Sequence, residues 1–319
     1  MKMTFMGFKR LVALTAGVLA VGAAAATPES LPARVAATRG HRVTLLERSG
    51  RLGGTLFFAG LAYAENGALL DHLVRQVKKL PIQVMLDTPA TPGLIRELKA
   101  DVVIVATGAE RSAPAIPGAE QDHVWSGDEL RRLMTGDGAE EIAKAKLSLA
   151  ERALFKAGGM LGVTDSTQAI QGLSKLWMPL GKRVVIIGGG LVGLELAEFL
   201  LARGRQVTVL EPGTHAGTEL PIVRRWRVYD AVKKHGKLLM QSNVTRIERK
   251  EVVWTDKKGE EYRTPADSVV LAIGAEADSA VADQLQSLTQ TPVRRIGDCQ
   301  DLGYIEGAMH SGHQAGREV

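Results

Sequence analysis

Arg183-Val184-Val185-Ile186-Ile187-Gly188-Gly189-Gly190-Leu191-Val192-Gly193 is the stretch whose reading decides the fold. Four β-branched residues in a row make a buried strand, and the glycines after it follow the pattern G-x-G-x-x-G. Leu194 to Ala202 continues as a helix, with Leu194, Ala197, Leu200 and Leu201 at helical spacing. The next strand closes on Glu211, 18 residues beyond Gly193. Strand, glycine turn, helix and a second strand ending in an acid form the full context of a dinucleotide-binding unit. In that context Gly188 permits the tight turn, Gly190 lets backbone approach a pyrophosphate, and Gly193 lets the helix pack on the strand. The helix opening at Leu191 offers unpaired N–H groups and a positive dipole end to the phosphates. Glu211 can accept hydrogen bonds from ribose hydroxyls. A carboxylate there repels a 2′-phosphate and favours NAD over NADP, while Arg203, Arg205 and Arg224 keep NADP open.

The same unit occurs twice. Arg39-Gly40-His41-Arg42-Val43-Thr44-Leu45-Leu46-Glu47 aligns without a gap on Arg203-Gly204-Arg205-Gln206-Val207-Thr208-Val209-Leu210-Glu211, at an offset of 164. Ala100 to Glu110 aligns on Ala266 to Glu276 at an offset of 166. Two landmarks in one order at nearly one offset imply two related α/β units. In each, a helix ends at a glycine suited to a left-handed C′ position, and an apolar strand follows. Continuous apolar strands alternating with helices imply parallel sheets covered on both faces.

The first copy departs from the second at its fingerprint. The offset places the three glycines on Ala24, Ala26 and Glu29. Two methyl groups and a carboxylate there oppose a pyrophosphate, and Pro28 and Pro32 fall in the expected first helix. The stretch before it has two readings. Lys2, Lys9 and Arg10, then an uncharged run Leu11–Gly22, then Ala24-Ala25-Ala26, follow the three-part layout of a secretory signal cut before Thr27. Leu11-Val12-Ala13-Leu14 also passes for a first Rossmann strand. We expect the signal, over residues 1–26, and no stable membrane span, because the run is short.

Composition narrows the chemistry. Of 319 residues, 45% are apolar and 24% charged, as in a soluble globular chain of about two domains. The single cysteine, Cys299, excludes a disulfide framework, a four-cysteine zinc site, a cysteine-held iron–sulfur cluster and a Cys-x-x-Cys pair within this sequence. Redox chemistry here must use a bound organic cofactor. A formal charge of +5 comes from scattered basic residues, apart from Arg224-Arg225-Trp226-Arg227 and Lys233-Lys234-His235. No basic stripe with interleaved aromatics occurs, so nucleic acid is not an expected partner, and both clusters read as solvated helix faces. No His-x-x-x-His pair occurs. Glu120 with His123, and Glu306 with His310 and His313, match no ligand pattern, so no metal is expected. There is no Gly-x-Ser-x-Gly elbow. Ser126 and Glu129 form a capping box, and 136–180 reads as linker helices without chemistry.

Glu47…Leu52-Gly53-Gly54, Ala106-Thr107-Gly108, Gly188-x-Gly-x-x-Gly193, Glu211 and Gly297-Asp298 together resemble the two-dinucleotide-binding-domain flavoproteins. More closely they resemble the C-terminal half of NADH:flavin oxidoreductases of the 2,4-dienoyl-CoA reductase and trimethylamine dehydrogenase group. The resemblance implies an α/β fold of two Rossmann-like domains, the NAD domain (181–280) inserted in a split FAD-type domain (27–135 and 281–319). It implies that Glu47, with Arg48 beside it, holds the FAD ribose. It places Gly53 and Gly54 by the flavin and Asp298 after Gly297 on the ribityl chain, with Leu52, Ala106, Thr107 and Gly108 among the cofactor-binding residues. In the second domain it adds Gly274 to the nicotinamide site. The implied activity is hydride transfer from NADH to FAD and on to a redox partner protein or small-molecule acceptor. The sequence has no match to that group's FMN-bearing barrel or its cysteines. The alternative is a non-catalytic relative that binds NAD and has lost FAD. A thiol–disulfide reductase fails, because Cys299 has no partner cysteine. The expected location is exported or periplasmic with the signal, cytoplasmic without it.

Overall fold

A computed structural model describes residues 10–15, 30–110, 115–127, 129–130, 133, 139–160, 170–172, 174–175 and 177–319. Ala24, Ala26 and Glu29 lie outside the described residues. In chain order the first part holds β1 (Arg10–Thr15), α1 (Ser30–Thr38), β2 (Arg42–Glu47), α2 (Gly54–Ala62), α3 (Ala64–Lys78), β3 (Ile82–Met85), α4 (Pro92–Leu98), β4 (Val102–Val105) and β5 (Ala109–Glu110). Then come β6 (Val124–Ser126), α5 (Ala139–Lys146), α6 (Leu149–Met160), β7 (Arg183–Ile187), α7 (Leu191–Leu201), β8 (Gln206–Glu211), α8 (Ile222–His235) and β9 (Lys237–Met240). They are followed by β10 (Asn243–Glu248), β11 (Glu251–Thr255), β12 (Glu261–Pro265) and β13 (Ser268–Leu271). The chain closes with β14 (Glu276–Ala277), α9 (Ala280–Leu288), β15 (Val293–Arg295) and α10 (Tyr304–Arg317).

Two compact units result. The first joins the described residues up to Glu110 to Ala275–Val319, and the second runs Arg111–Gly274, inserted in the sequence of the first. Their sheets repeat one topology. The first has the order β15-β4-β1-β2-β3 and the second β6-β13-β7-β8-β9. Every pair in both is parallel. The expected α/β architecture, a duplicated Rossmann-like unit, is the one observed.

Alternation along each strand explains the coverage. In the first unit Val43, Leu45, Val102 and Ile104 join Ala33, Ala36 and Ala315 in one apolar cluster. Their strand neighbours Leu46, Val103 and Val105 join Ile95, Leu285 and Cys299 in another. Both faces are therefore buried, as continuous apolar strands require. In the second unit α7 and α8 lie against the sheet. Ile247, Val252 and Trp254 of the antiparallel β10–β12 join Val185, Ile187, Leu210 and Val269 in a further cluster.

The helix ends also repeat. Gly40 and Gly204 both have positive φ, 90° and 72°. In one unit the N–H of His41 donates to Ala36 O (3.1 Å), and in the other the N–H of Arg205 donates to Leu200 O (3.1 Å). The glycine turns the chain back so that the last carbonyls stay paired.

Three features differ from or add to the expectations. First, within the stretch expected as a signal, Arg10–Thr15 form a strand. Backbone hydrogen bonding places β1 between β2 and β4, with Arg10 opposite Arg42. This is the position that the alternative reading, a first Rossmann strand at Leu11–Leu14, gives to the stretch. Gapless alignment puts Leu19 opposite Arg183, whereas the register gives that place to Arg10. Second, the boundary read at 135 moves to Glu110, because β6 pairs with β13 and completes the second sheet. The other boundary moves from 280 to Gly274. Third, Pro32 does not break α1. It sits in the first turn, where its missing N–H leaves no bond unmade.

Gly193 carries the closest approach in the second unit. A Cβ built there would stand 1.9 Å from the Gly188 carbonyl oxygen. Gly193→Ala should therefore destabilise the protein by about 1–3 kcal/mol. Gly307→Ala, where a Cβ meets nothing within 4 Å, should gain about 0.5–1 kcal/mol by helix propensity. Urea unfolding checks both, and equal effects would contradict the packing role.

Candidate functional site

The second unit's site lies at the carboxyl end of β7, β8 and β13. Gly188 has φ 105°, and its own Cβ would stand 2.4 Å from Ala272 O. The chain therefore leaves β7 in a turn that only glycine takes without strain. Gly190 is the N-cap of α7 and has no side-chain cap, so the first amides of the helix, from Leu191 on, have no acceptor within it. Leu191 itself is buried. A Cβ on Gly190 would meet the Glu219 carboxylate at 3.2 Å, the end of a flexible side chain rather than backbone. The space beside Gly190 is thus held by the end of the Glu219 side chain, which has to swing away before a phosphate can reach the helix start. Gly274 ends the strand-to-loop run after β13 with φ 49°, and a Cβ there meets nothing within 4 Å.

Glu211 stands at the end of β8. One carboxylate oxygen accepts from the N–H of Gly189 (2.6 Å) and the other from the N–H of Gly213 (2.7 Å). The side chain thus clamps the glycine turn to the loop after β8 and keeps lone pairs for hydroxyl donors. That loop is pinned twice more. The Gly217 N–H donates to Gly189 O (2.8 Å), and the Ala216 N–H donates to the Tyr229 hydroxyl (2.9 Å).

Sequence reasoning missed two residues here. Gly189 stood as a free position in the pattern, yet a Cβ on it would lie 2.9 Å from Glu211 Cβ and 3.1 Å from Ala216 Cβ. The run of three glycines was the available signal. Glu195 is the other. It is buried on α7, and burial, reinforced by Glu198, pushes its carboxyl up to about 9. Arg224 makes its close contact with Glu198 and reaches Glu195 only at 3.9 Å. An acid between Leu194 and Leu196 on a buried helix face was its sequence trace.

The first unit gathers its candidates at the matching edge. Glu47 ends β2 and is 1% exposed. Its Oε1 accepts from the Ser49 N–H (2.8 Å) and the Ser49 hydroxyl (2.9 Å). Gly213 N–H to Glu211 repeats the same step of two residues. Arg48 follows, half-buried, and Leu52 packs partly against the apolar cluster of this unit. Gly53 and Gly54 both have positive φ. A Cβ on Gly53 would reach Leu70 at 3.0 Å, while one on Gly54 would meet open space. Ala106, Thr107 and Gly108 follow β4 and are buried, with φ 83° at Gly108.

Gly297 follows β15 with φ 62°, and its N–H donates to the Ser311 hydroxyl (3.0 Å). Asp298, 5% exposed, accepts from the N–H groups of Gly303 and Tyr304, both at 3.0 Å, and so caps α10. Burial holds its carboxyl above the usual range, and the two amides pull it partly back. Cys299 is buried, and its thiol donates toward the carbonyls of Val105 and Ile296. Burial pushes the thiol up, away from thiolate chemistry.

Elsewhere the capping box forms as expected. Ser126 N–H donates to Glu129 (2.8 Å), and Glu129 N–H donates to the Ser126 hydroxyl (3.1 Å). An unremarked second box, Ser148 with Glu151, repeats it. Among the described residues no three His, Cys, Asp or Glu side chains gather as a metal site, and no helix is long and apolar enough to cross a membrane.

Comparison with known proteins adds to this geometry. A family described as pyridine nucleotide-disulphide oxidoreductase matches residues 33–296. A bilirubin reductase of Mediterraneibacter gnavus is 30% identical over 302 residues, 93% of this chain and 40% of its own length. An NADH oxidase of Thermoanaerobacter brockii is 28% identical over 293 residues, 89% of this chain and 38% of its own. Among solved structures, a 2-naphthoyl-CoA reductase complex shares the fold with a TM-score of 0.76 at 24% identity, over 98% of this chain and 40% of that one. The chain thus spans about two fifths of the length of the curated relatives it matches.

Glu195 gives a pH dependence of stability. Below its ordinary value of 4.5 the carboxyl is protonated in folded and unfolded chains alike. Between there and about 9 the unfolded chain ionises while the folded chain keeps its proton. Glu195 therefore withdraws stability as pH rises through that window. Glu195→Gln should melt higher than the parent, by a margin that grows between about pH 5 and about pH 8. Parallel melting profiles would contradict a buried neutral acid.

Proposed function

The chain belongs to the pyridine nucleotide-disulphide oxidoreductase family, and from that premise we propose that it is the dinucleotide-handling part of an NAD(P)H-dependent flavoprotein oxidoreductase. One observation carries the reading. In the second unit a glycine turn, an open helix start and a clamped acid meet at one strand edge. The unpaired amides from Leu191 onward attract a pyrophosphate. Gly190 lets the phosphates touch backbone, and Glu211 takes ribose hydroxyls with the lone pairs its two amides leave. The residues fit a dinucleotide, and the acid favours NADH over NADPH.

For FAD the first unit divides. Glu47 suits the adenosine ribose. Gly54, with open space before it, suits the flavin edge, and Asp298 at the start of α10 suits the ribityl hydroxyls. The second reading, a relative that binds NAD and has lost FAD, rests on Ala24, Ala26 and Glu29 at the pyrophosphate positions, and the register of β1 removes the gapless offset that put them there. When bound, a nicotinamide and flavin pair supplies two-electron transfer. The protein's part is to hold the nicotinamide dinucleotide by its phosphates and ribose, with no side-chain acid or base required.

Relatives named for different reactions match nearly the whole of this chain. That supports assigning the shared part to nicotinamide handling, with the acceptor, a redox partner protein or a small molecule, chosen elsewhere.

NADH titration of the purified protein, with dye-coupled NADH oxidation with and without added FAD, tests both readings. Turnover that requires FAD is the expected result. Binding without turnover would transfer the case to the non-catalytic reading, and absence of NADH binding would end both. Gly190→Glu should abolish NADH binding with the melting temperature unchanged. Glu211→Ala should weaken NADH about tenfold, roughly one charged hydrogen bond lost, with less effect on NADPH. Equal losses for both nucleotides would place the ribose elsewhere.

A further inference from the structure

Helix α8 carries both basic clusters of the sequence, and the dinucleotide site uses neither. Its fourteen residues hold five Arg or Lys side chains against one Asp. Val228 and Val232 are buried and fasten it to its unit. Arg224 turns inward to Glu198. The outer face is unusual in the opposite sense. Ile222 is 72% exposed, Val223 64% and Trp226 72%, all within the first two turns. Beside them Arg227 is exposed, and Arg225 lies over the Tyr229 ring (5.6 Å). Farther along, Lys233 lies over the same ring (5.4 Å), and Lys234 pairs with Asp230 (2.8 Å).

We propose that this face of α8 docks on an anionic lipid surface. Spacing supports it, since Ile222 and Trp226 are one turn apart and Val223 and Arg227 are one turn apart. They therefore form one patch on the outside of the helix. Chemistry supports it as well. Two branched aliphatics and an indole suit the boundary of headgroups and acyl chains, where Trp places its ring and polar N–H together. Arg227, Lys233 and Lys234 continue the face with charge that headgroup phosphates would pair. At fourteen residues and with this charge, the helix is suited to lie on a bilayer and not to cross it. A second copy is the poorer occupant. A symmetric contact through this face would set Arg227 and the flanking lysines against their own equivalents, on a chain whose net charge is already +5.

Flotation of the full chain with vesicles tests this, using phosphatidylcholine alone and phosphatidylcholine mixed with phosphatidylglycerol. The expected result is flotation with the mixed vesicles only, released by added salt, with a blue shift of tryptophan emission that Trp226→Ala removes. Arg227→Glu should weaken partitioning about thirtyfold, two charge steps near an anionic surface. Ile222→Ser should weaken it with the charge unchanged, and all three variants should melt with the parent. Equal flotation on both vesicles, no flotation, or variants that float like the parent would overturn the proposal. Binding to polyglutamate without vesicle binding would also overturn it, in favour of an acidic polypeptide. So would a dimer that Trp226→Ala dissociates, in favour of a second copy.

Discussion

The second unit depends on how closely α7 can approach β7. Gly193 sits so near the Gly188 carbonyl that a single methyl group would collide with it. That contact holds the start of the helix at the carboxyl edge of the sheet, with its unpaired amides facing outward. Every other feature of the site serves the same position. Gly188 turns the chain at positive φ, Gly189 makes room for Glu211, and Glu211 ties the turn to the loop beyond β8. The proposed phosphate site is thus built from backbone, and its side chains act mainly as braces.

Two units with one strand order allow a comparison within a single chain. β2 and β8 both end on a glutamate that accepts an N–H from two residues later, and β4 and β13 are both followed by a glycine at positive φ. Glu211 also reaches across to the glycine turn, and Glu47 also takes the Ser49 hydroxyl. The first unit adds Asp298, which spends one oxygen on the start of α10. Burial holds that carboxyl above its ordinary range, so its ionised form leans on those amides and on whatever hydroxyls approach.

Much of this was legible in the residues. The strand–glycine–helix run at 183–202, the paired glutamates and the repeated offsets are local patterns, and local patterns survive folding. Parallel sheets covered on both faces followed from the continuous apolar strands. What escaped notice was set by contacts distant in sequence. β6 has three residues, too few for a periodicity, and it is a strand only because β13 accepts it. Gly189 is constrained by Ala216 and Glu211, which no spacing rule connects to it. Glu195 looks like an ordinary helical acid until neighbouring elements of the fold bury it. The register of β1 departs from the gapless offset, and a repeat alignment by itself does not detect such a shift.

Amide hydrogen exchange on the full chain, with and without saturating NADH, tests the central claim most directly. The account predicts slowed exchange in the peptides covering 188–193 and 211–217, where the turn, the helix start and the clamped loop meet. Protection confined to the first unit, at 47–54 and 106–108, or no protection in the glycine turn, would contradict it.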